Sequence, residues 1–176
     1  MQICDLRVTG NPKSGPGIYA KAVDEILISR VAAEHNGTYG IFLDNCYEDP
    51  RICDCLINYN THTGLNLVAC HDIVVSGNQF EENNDAVRCI DGYNLAMTGN
   101  SLDDHLGNGV VIENTYGSLV SANMIEECAE LSQAICKATR FGWKNHHPNR
   151  PQTTNLDDVR AEMADVEGRI IVGPQD

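Results

Sequence analysis

A chain of 176 residues can bury one substantial core, and 42% hydrophobic with 21% charged residues is ordinary for a folded domain, which excludes collagen-like and disordered compositions. Twelve basic against twenty-five acidic residues give a formal charge of −13, a field that repels nucleic acid and anionic membranes. The apolar runs are too short to cross a bilayer, so neither nucleic acid nor a membrane is expected as a partner.

In chain order, Met1-Gln2-Ile3-Cys4-Asp5 lacks the basic-then-apolar layout of a signal peptide, and a soluble protein is expected. Ile3 to Asn11 already reads as part of a coil, since Val8-Thr9-Gly10-Asn11 echoes Met97-Thr98-Gly99-Asn100. Such a start suits a piece of a longer solenoid, extracellular or on a cell surface if the whole is secreted, or a chain that caps by assembling. The phrases beginning at Ile28, Ile52, Val75, Met97 and Val120 then follow one another at steps of 24, 23, 22 and 23 residues. A second column keeps the same pace: Gly17-Ile18, Gly40-Ile41, Gly64-Leu65, Ala86-Val87 and Gly109-Val110. Ile41-Phe42-Leu43, Leu65-Asn66-Leu67, Val87-Arg88-Cys89 and Val110-Val111-Ile112 alternate with period two, which is strand behaviour and argues against the helix that a leucine-rich repeat places there. With a short third strand after each Asn, one unit is one coil of three strands, and stacking sets each strand about 4.8 Å from its copy. After Ala134-Ile135-Cys136 the repeat dissolves. Phe141 to Gln152 reads as a loop, and Asn155 to Val166 as an amphipathic helix with Leu156, Val159, Met163 and Val166 on one face and Gly168 as its stop. Ile170-Ile171-Val172 reads as a closing strand. The division expected is a solenoid over 1–139 and a C-terminal segment over 140–176 that covers the open end of the core or lies against a neighbouring subunit, so a homo-oligomer such as a trimer is an expectation.

The repeated G-I-x-I and I-x-x-N-x-I phrases resemble the right-handed parallel β-helix of the pectin-lyase-like superfamily, over roughly residues 17 to 139. The fold class expected is all-β, a parallel β-helix solenoid of about five to six coils with three strands per coil, plus the C-terminal loop, helix and strand. Asn78, Asn100 and Asn123 then fall at the bend between the second and third strands, where Asn tolerates a left-handed backbone and its amides bond from coil to coil. Cys55 and Val31 break this ladder in the earlier coils. Cys46 and Cys70 share a column, as stacked thiols or as a bridge. The eight cysteines are scattered and read mostly as reduced, buried residues from a reducing compartment.

In a coil stack, a site is a column of outward polar groups from successive coils. The turn after the third strand carries Asn58, Glu81, Asp103 and Glu126 in one column and Tyr59, Glu82, Asp104 and Glu127 in the next. Stacked carboxylates repel unless a proton, a cation or a basic side chain intervenes, so Glu81, Asp103 and Glu126 are the candidate metal ligands. The resembled pectate lyases often use Ca²⁺ to bridge enzyme and acidic sugar, which makes Ca²⁺ the cofactor expected here. The alternative is a solvated turn. Outward positions on the first strand are Phe42, Asn66, Arg88 and Val111, followed by Asp44 and Glu113. Arg88 either holds a sugar carboxylate or neutralises the column. His62 and His105 sit in the same turns as general-base candidates or as plain polar turn residues. Asp103-Asp104-His105 supplies the paired Asp of polygalacturonases of this fold without their other three phrases. The candidate catalytic set is thus Asp103, Asp104, His105 and Arg88, with Asn66, Glu113, Tyr59 and His62 toward substrate. The function expected is a lyase- or hydrolase-like protein binding or cleaving a polysaccharide or other glycan along the outer strand face. The alternative is a non-catalytic surface or phage-tail-like β-helix, with Tyr47, Tyr59, Tyr93 and Tyr116 as the main stacking surfaces.

Overall fold

The computed structural model describes residues 1–147 and 150–172, and the side chains of these except 124–133, 147, 150, 151, 162 and 164–172. β1 (Gln2–Thr9) belongs to the coil before, and the first full coil comprises β2 (Ile18–Lys21) and β3 (Leu27–Glu34), the latter paired in parallel with β1. Then come β4 (Ile41–Asp44), β5 (Arg51–Cys53) and β6 (Leu56–Asn58), followed by β7 (Thr63–Val68), β8 (Val74–Ser76) and β9 (Gln79–Glu81). The last full coils hold β10 (Asp85–Ile90), β11 (Ala96–Thr98) and β12 (Ser101–Asp103), then β13 (Val110–Glu113), β14 (Leu119–Ser121) and β15 (Met124–Ile125). These strands form a parallel solenoid of about five turns. The first strands make one sheet in the order β13-β10-β7-β4-β2, while the second and third strands share another. That sharing has a simple cause. β3 runs through the bend that later coils break, so its Leu27–Ser29 half pairs with β5 and its Ala32–Glu34 half with β6.

Register is what the period-two pattern demands. Ile41 pairs with Leu65, Leu65 with Val87 and Val87 with Val110, so one apolar column runs the length of the sheet. Ile28, Ile52, Val75 and Met97 form a second column and Ala33, Ile57, Phe80 and Leu102 a third, all buried. Each large side chain so buried contributes roughly 1.5 to 3 kcal/mol. Val120 continues the second column at the last coil but stands 38% exposed.

Two side-chain ladders close the corners. Asn78 Nδ2 donates to Asn100 Oδ1 at 2.9 Å and Asn100 Nδ2 to Asn123 Oδ1 at 2.8 Å. The left-handed residues of this bend are not the asparagines but the residues before them, Gly77, Gly99 and Ala122, with Asp54 before Cys55 in the same place one coil earlier. Asn serves here as a donor and acceptor rather than for its backbone tolerance. A second ladder, Asn36–Asn60–Asn83, closes the next corner through Nδ2-to-Oδ1 bonds of 2.9 Å. At the third corner the ladder position holds Cys46 and Cys70, whose free thiols point at the Ala20 and Leu43 carbonyls of the preceding coil. The pair is stacked, not bridged.

The strands end sooner than the residue count suggests. Glu126, expected in a turn, instead opens α1 (Glu126–Phe141), where Arg140 in the last turn suits the helix dipole. The stretch read as a loop contains a short hairpin of β16 (His146–His147) and β17 (Arg150–Thr154). It leads into α2 (Asn155–Arg169), whose start is held by reciprocal Thr154 and Asp157 hydrogen bonds. Ala134, Ala138 and Val159 form a small core between the helices. β18 (Ile170–Val172) then returns to pair with β13 as a sixth strand of the first sheet.

Candidate functional site

The outer side of the first sheet carries two columns. Tyr19, Phe42, Asn66, Arg88 and Val111 lie in register, as do Lys21, Asp44, Val68, Ile90 and Glu113. Rings gather at the first half: Tyr19 and Tyr39 each lie 5.1 Å from Phe42 between centroids, and His62 lies 6.2 Å from Tyr39. Asp44 accepts from Lys21 Nζ at 2.7 Å and from Tyr19 Oη at 3.1 Å, and the Lys21 ammonium holds its carboxyl below the usual carboxylate range. The second half is polar. Asn66 is buried between the Phe42 and Arg88 positions, and Arg88 reaches Glu113 Oε1 from Nη2 at a long 3.4 Å. Arg88 Nε is buried with no hydrogen-bond partner. Asn66, Arg88, Glu113 and His62 are therefore brought onto one face.

The acidic residues lie one corner away. Asn58, Glu81 and Asp103 are in register, and Tyr59, Glu82 and Asp104 follow with left-handed backbones, joined by His35. The His35 ring stacks on Tyr59 at 4.9 Å and 8°. Glu82, then Glu81, pushes the Tyr59 phenol above its ordinary value, because its ionisation would add another negative charge to the corner. Asn58 is 5% exposed, in register between Glu34 and Glu81, and its Oδ1 has no hydrogen-bond partner. Glu34 is taken by an ion pair with Arg7. The side chain of Glu126 lies outside the described residues. Among the described residues, no three His, Cys, Asp or Glu side chains converge on one cation position.

His105 belongs to neither group. It is 7% exposed and takes the next position of the second ladder, its Nδ1 accepting from the Asn83 N–H at 3.2 Å. A ring nitrogen that accepts this bond carries no proton there. The sequence held the signal for this ladder, since Asn36, Asn60, Asn83 and His105 recur at steps of 24, 23 and 22 residues. Tyr19 and Tyr39 also went unnoticed as partners of Phe42: the Tyr19 contact crosses coils, and Tyr39 lies just ahead of the strand that carries Phe42.

The family model described as right handed beta helix region matches residues 2–140. No curated protein and no solved structure matches the chain. The matched span covers every coil of the solenoid just described, and the chain belongs to the right-handed β-helix region family.

Proposed function

We propose that the outer face of the first sheet binds a polysaccharide chain bearing carboxylates. The supporting observation is Arg88, whose guanidinium is only loosely held by Glu113 and has one buried N–H without an acceptor. Such a donor favours a planar anion that can accept from two of its N–H groups, as a uronate carboxylate does. Tyr39, Phe42 and His62 offer ring faces to the apolar side of the neighbouring sugars, and Asn66 offers an amide. In native affinity electrophoresis, polygalacturonate in the gel should retard the protein, and Arg88→Gln should weaken retardation about tenfold, the size of one charge-assisted pair. Equal retardation of the two proteins overturns the reading.

Cleavage is the second reading, favoured by the crowded carboxylates that raise Tyr59 and by the unpartnered Asn58 Oδ1 beside them. Glu81, Asp103 and the Asn58 amide oxygen supply the hard oxygen donors that Ca²⁺ takes. A bound Ca²⁺ would neutralise a sugar carboxylate at this corner. Under this reading Ca²⁺ raises the melting temperature above that in chelator, and unsaturated products absorb in the ultraviolet. An unchanged melting temperature, with no product, removes it.

A further inference from the structure

A second ring column lies just beyond the C-terminal ends of the same strands. Tyr47, His71, Tyr93 and Tyr116 each follow the end of a first strand in successive coils, and parallel bridges join His71 to Tyr93 and Tyr93 to Tyr116. Tyr47 and His71 meet edge-on at 4.4 Å, and His71 and Tyr93 at 5.9 Å. Their backbones are fixed: the N–H groups of His71, Tyr93 and Tyr116 donate to the carbonyls of Cys46, Cys70 and Gly92 in the coil before. Tyr93 is nonetheless 49% exposed and Tyr116 37% exposed. Aromatic surface facing water on a fixed backbone offers a ligand ring faces and edges to pack against.

The borders of the column define the ligand. On one side Asn114 donates to Asp91 at 2.7 Å, and on the other Asn94 donates to Asp72 at 2.8 Å. Tyr47 and Tyr116 Oη donate to Asn45 and Asn114 Oδ1 at 2.7 and 2.9 Å. Rings bordered by short amides and carboxylates suit a flat ligand with an apolar face and a hydroxyl rim. The segments 45–49, 69–72, 91–94 and 114–117 contain no Lys or Arg, and Asp72 and Asp91 repel an acidic sugar. Successive backbones are one strand spacing apart, about 4.8 Å, and the ring centroids at 4.4 and 5.9 Å straddle the advance per sugar of an extended chain. We infer that this column is a binding track for a neutral polysaccharide, lying along the solenoid axis and separate from the Arg88 face. It stands whether or not that face binds an acidic chain.

The test is affinity electrophoresis of the full chain in gels containing hydroxyethylcellulose, xylan, galactomannan or polygalacturonate. At least one neutral polymer should retard the protein. Tyr93→Ala and Tyr116→Ala should each weaken that retardation about tenfold, the loss of one stacked ring. Tyr93→Trp should restore it, and all three variants should keep the native circular dichroism spectrum and any retardation by polygalacturonate. Arg88→Gln should leave retardation by the neutral polymer unchanged. Failure to be retarded by any neutral polymer, or retardation of Tyr93→Ala and Tyr116→Ala equal to the unsubstituted protein, overturns the inference. Loss on Arg88→Gln of retardation by both polymer classes also overturns it, because the two tracks would be one.

Discussion

At the scale of single residues, ladder side chains carry more than their size suggests. Asn83 gives Nδ2 to the Ile57 carbonyl and accepts at Oδ1 from both the backbone N–H and Nδ2 of Asn60. Asn83→Ala leaves several buried groups unpaired and should cost about 2 to 4 kcal/mol in urea unfolding. His105→Asn should leave stability unchanged or raise it, because an amide oxygen replaces Nδ1 as acceptor and Nδ2 adds a donor. The thiols behave differently. Burial pushes Cys70 up to about 12 and Cys89 up to about 11, from an ordinary 9.0. Their native forms hold the proton after the unfolded chain has lost it, so stability is intact below pH 9 and falls as pH rises through this window. Cys70→Ser should lessen that alkaline loss. Iodoacetamide at neutral pH should label exposed Cys136 well before Cys70 or Cys89 in mass spectra of the native protein.

At the scale of elements, corners decide where strands stop. Gly99 has φ +66° with open space around a would-be Cβ, while Ala122 holds the same corner at φ +50°. Gly99→Ala should destabilise and Ala122→Gly stabilise, each by about 1 kcal/mol or less once glycine's entropy is subtracted, as read by urea midpoints. Gly64 answers to another constraint, since a Cβ there would lie 2.8 Å from the Ala86 carbonyl and 2.9 Å from Asn83 Nδ2. The strands themselves were legible because Ile41, Leu65, Val87 and Val110 report one buried face by simple alternation. The start of α1 was not. Glu126 and Glu127 fall at the count of Glu81 and Glu82, and a repeat number carries no information on whether the next segment still has a coil to pair with. His105 was hidden by residue type, for a histidine among carboxylates reads as surface chemistry until its burial is known. For the same reason the candidate site was legible as residues but not as two groups, because the corner between Glu81 and the first-sheet face is set by the second ladder.

At the scale of the whole molecule, net charge and exposed ion pairs govern the response to solvent. Arg30 lowers Asp5, Lys21 lowers Asp44, and the Thr154 N–H lowers Asp157. These carboxylates bind protons more weakly in the native state than in the unfolded chain. Stability present above the ordinary carboxylate range should therefore decline as pH falls through it, measured by urea unfolding at stepped pH. Added salt at neutral pH should raise the melting temperature, because it screens the repulsion within a chain of charge −13. Coils touch only their neighbours, so most substitutions should act locally rather than across the stack.

The second amide ladder also has a direction. Asn36 gives its hydrogens to Asn60, Asn60 to Asn83, and the Asn83 N–H goes on to His105. Every link points the same way, so the column is a vector with unlike poles, one offering lone pairs and the other hydrogens. A rung added by another copy would have to arrive head to tail, and a union of two identical poles would set acceptor against acceptor at one end or donor against donor at the other.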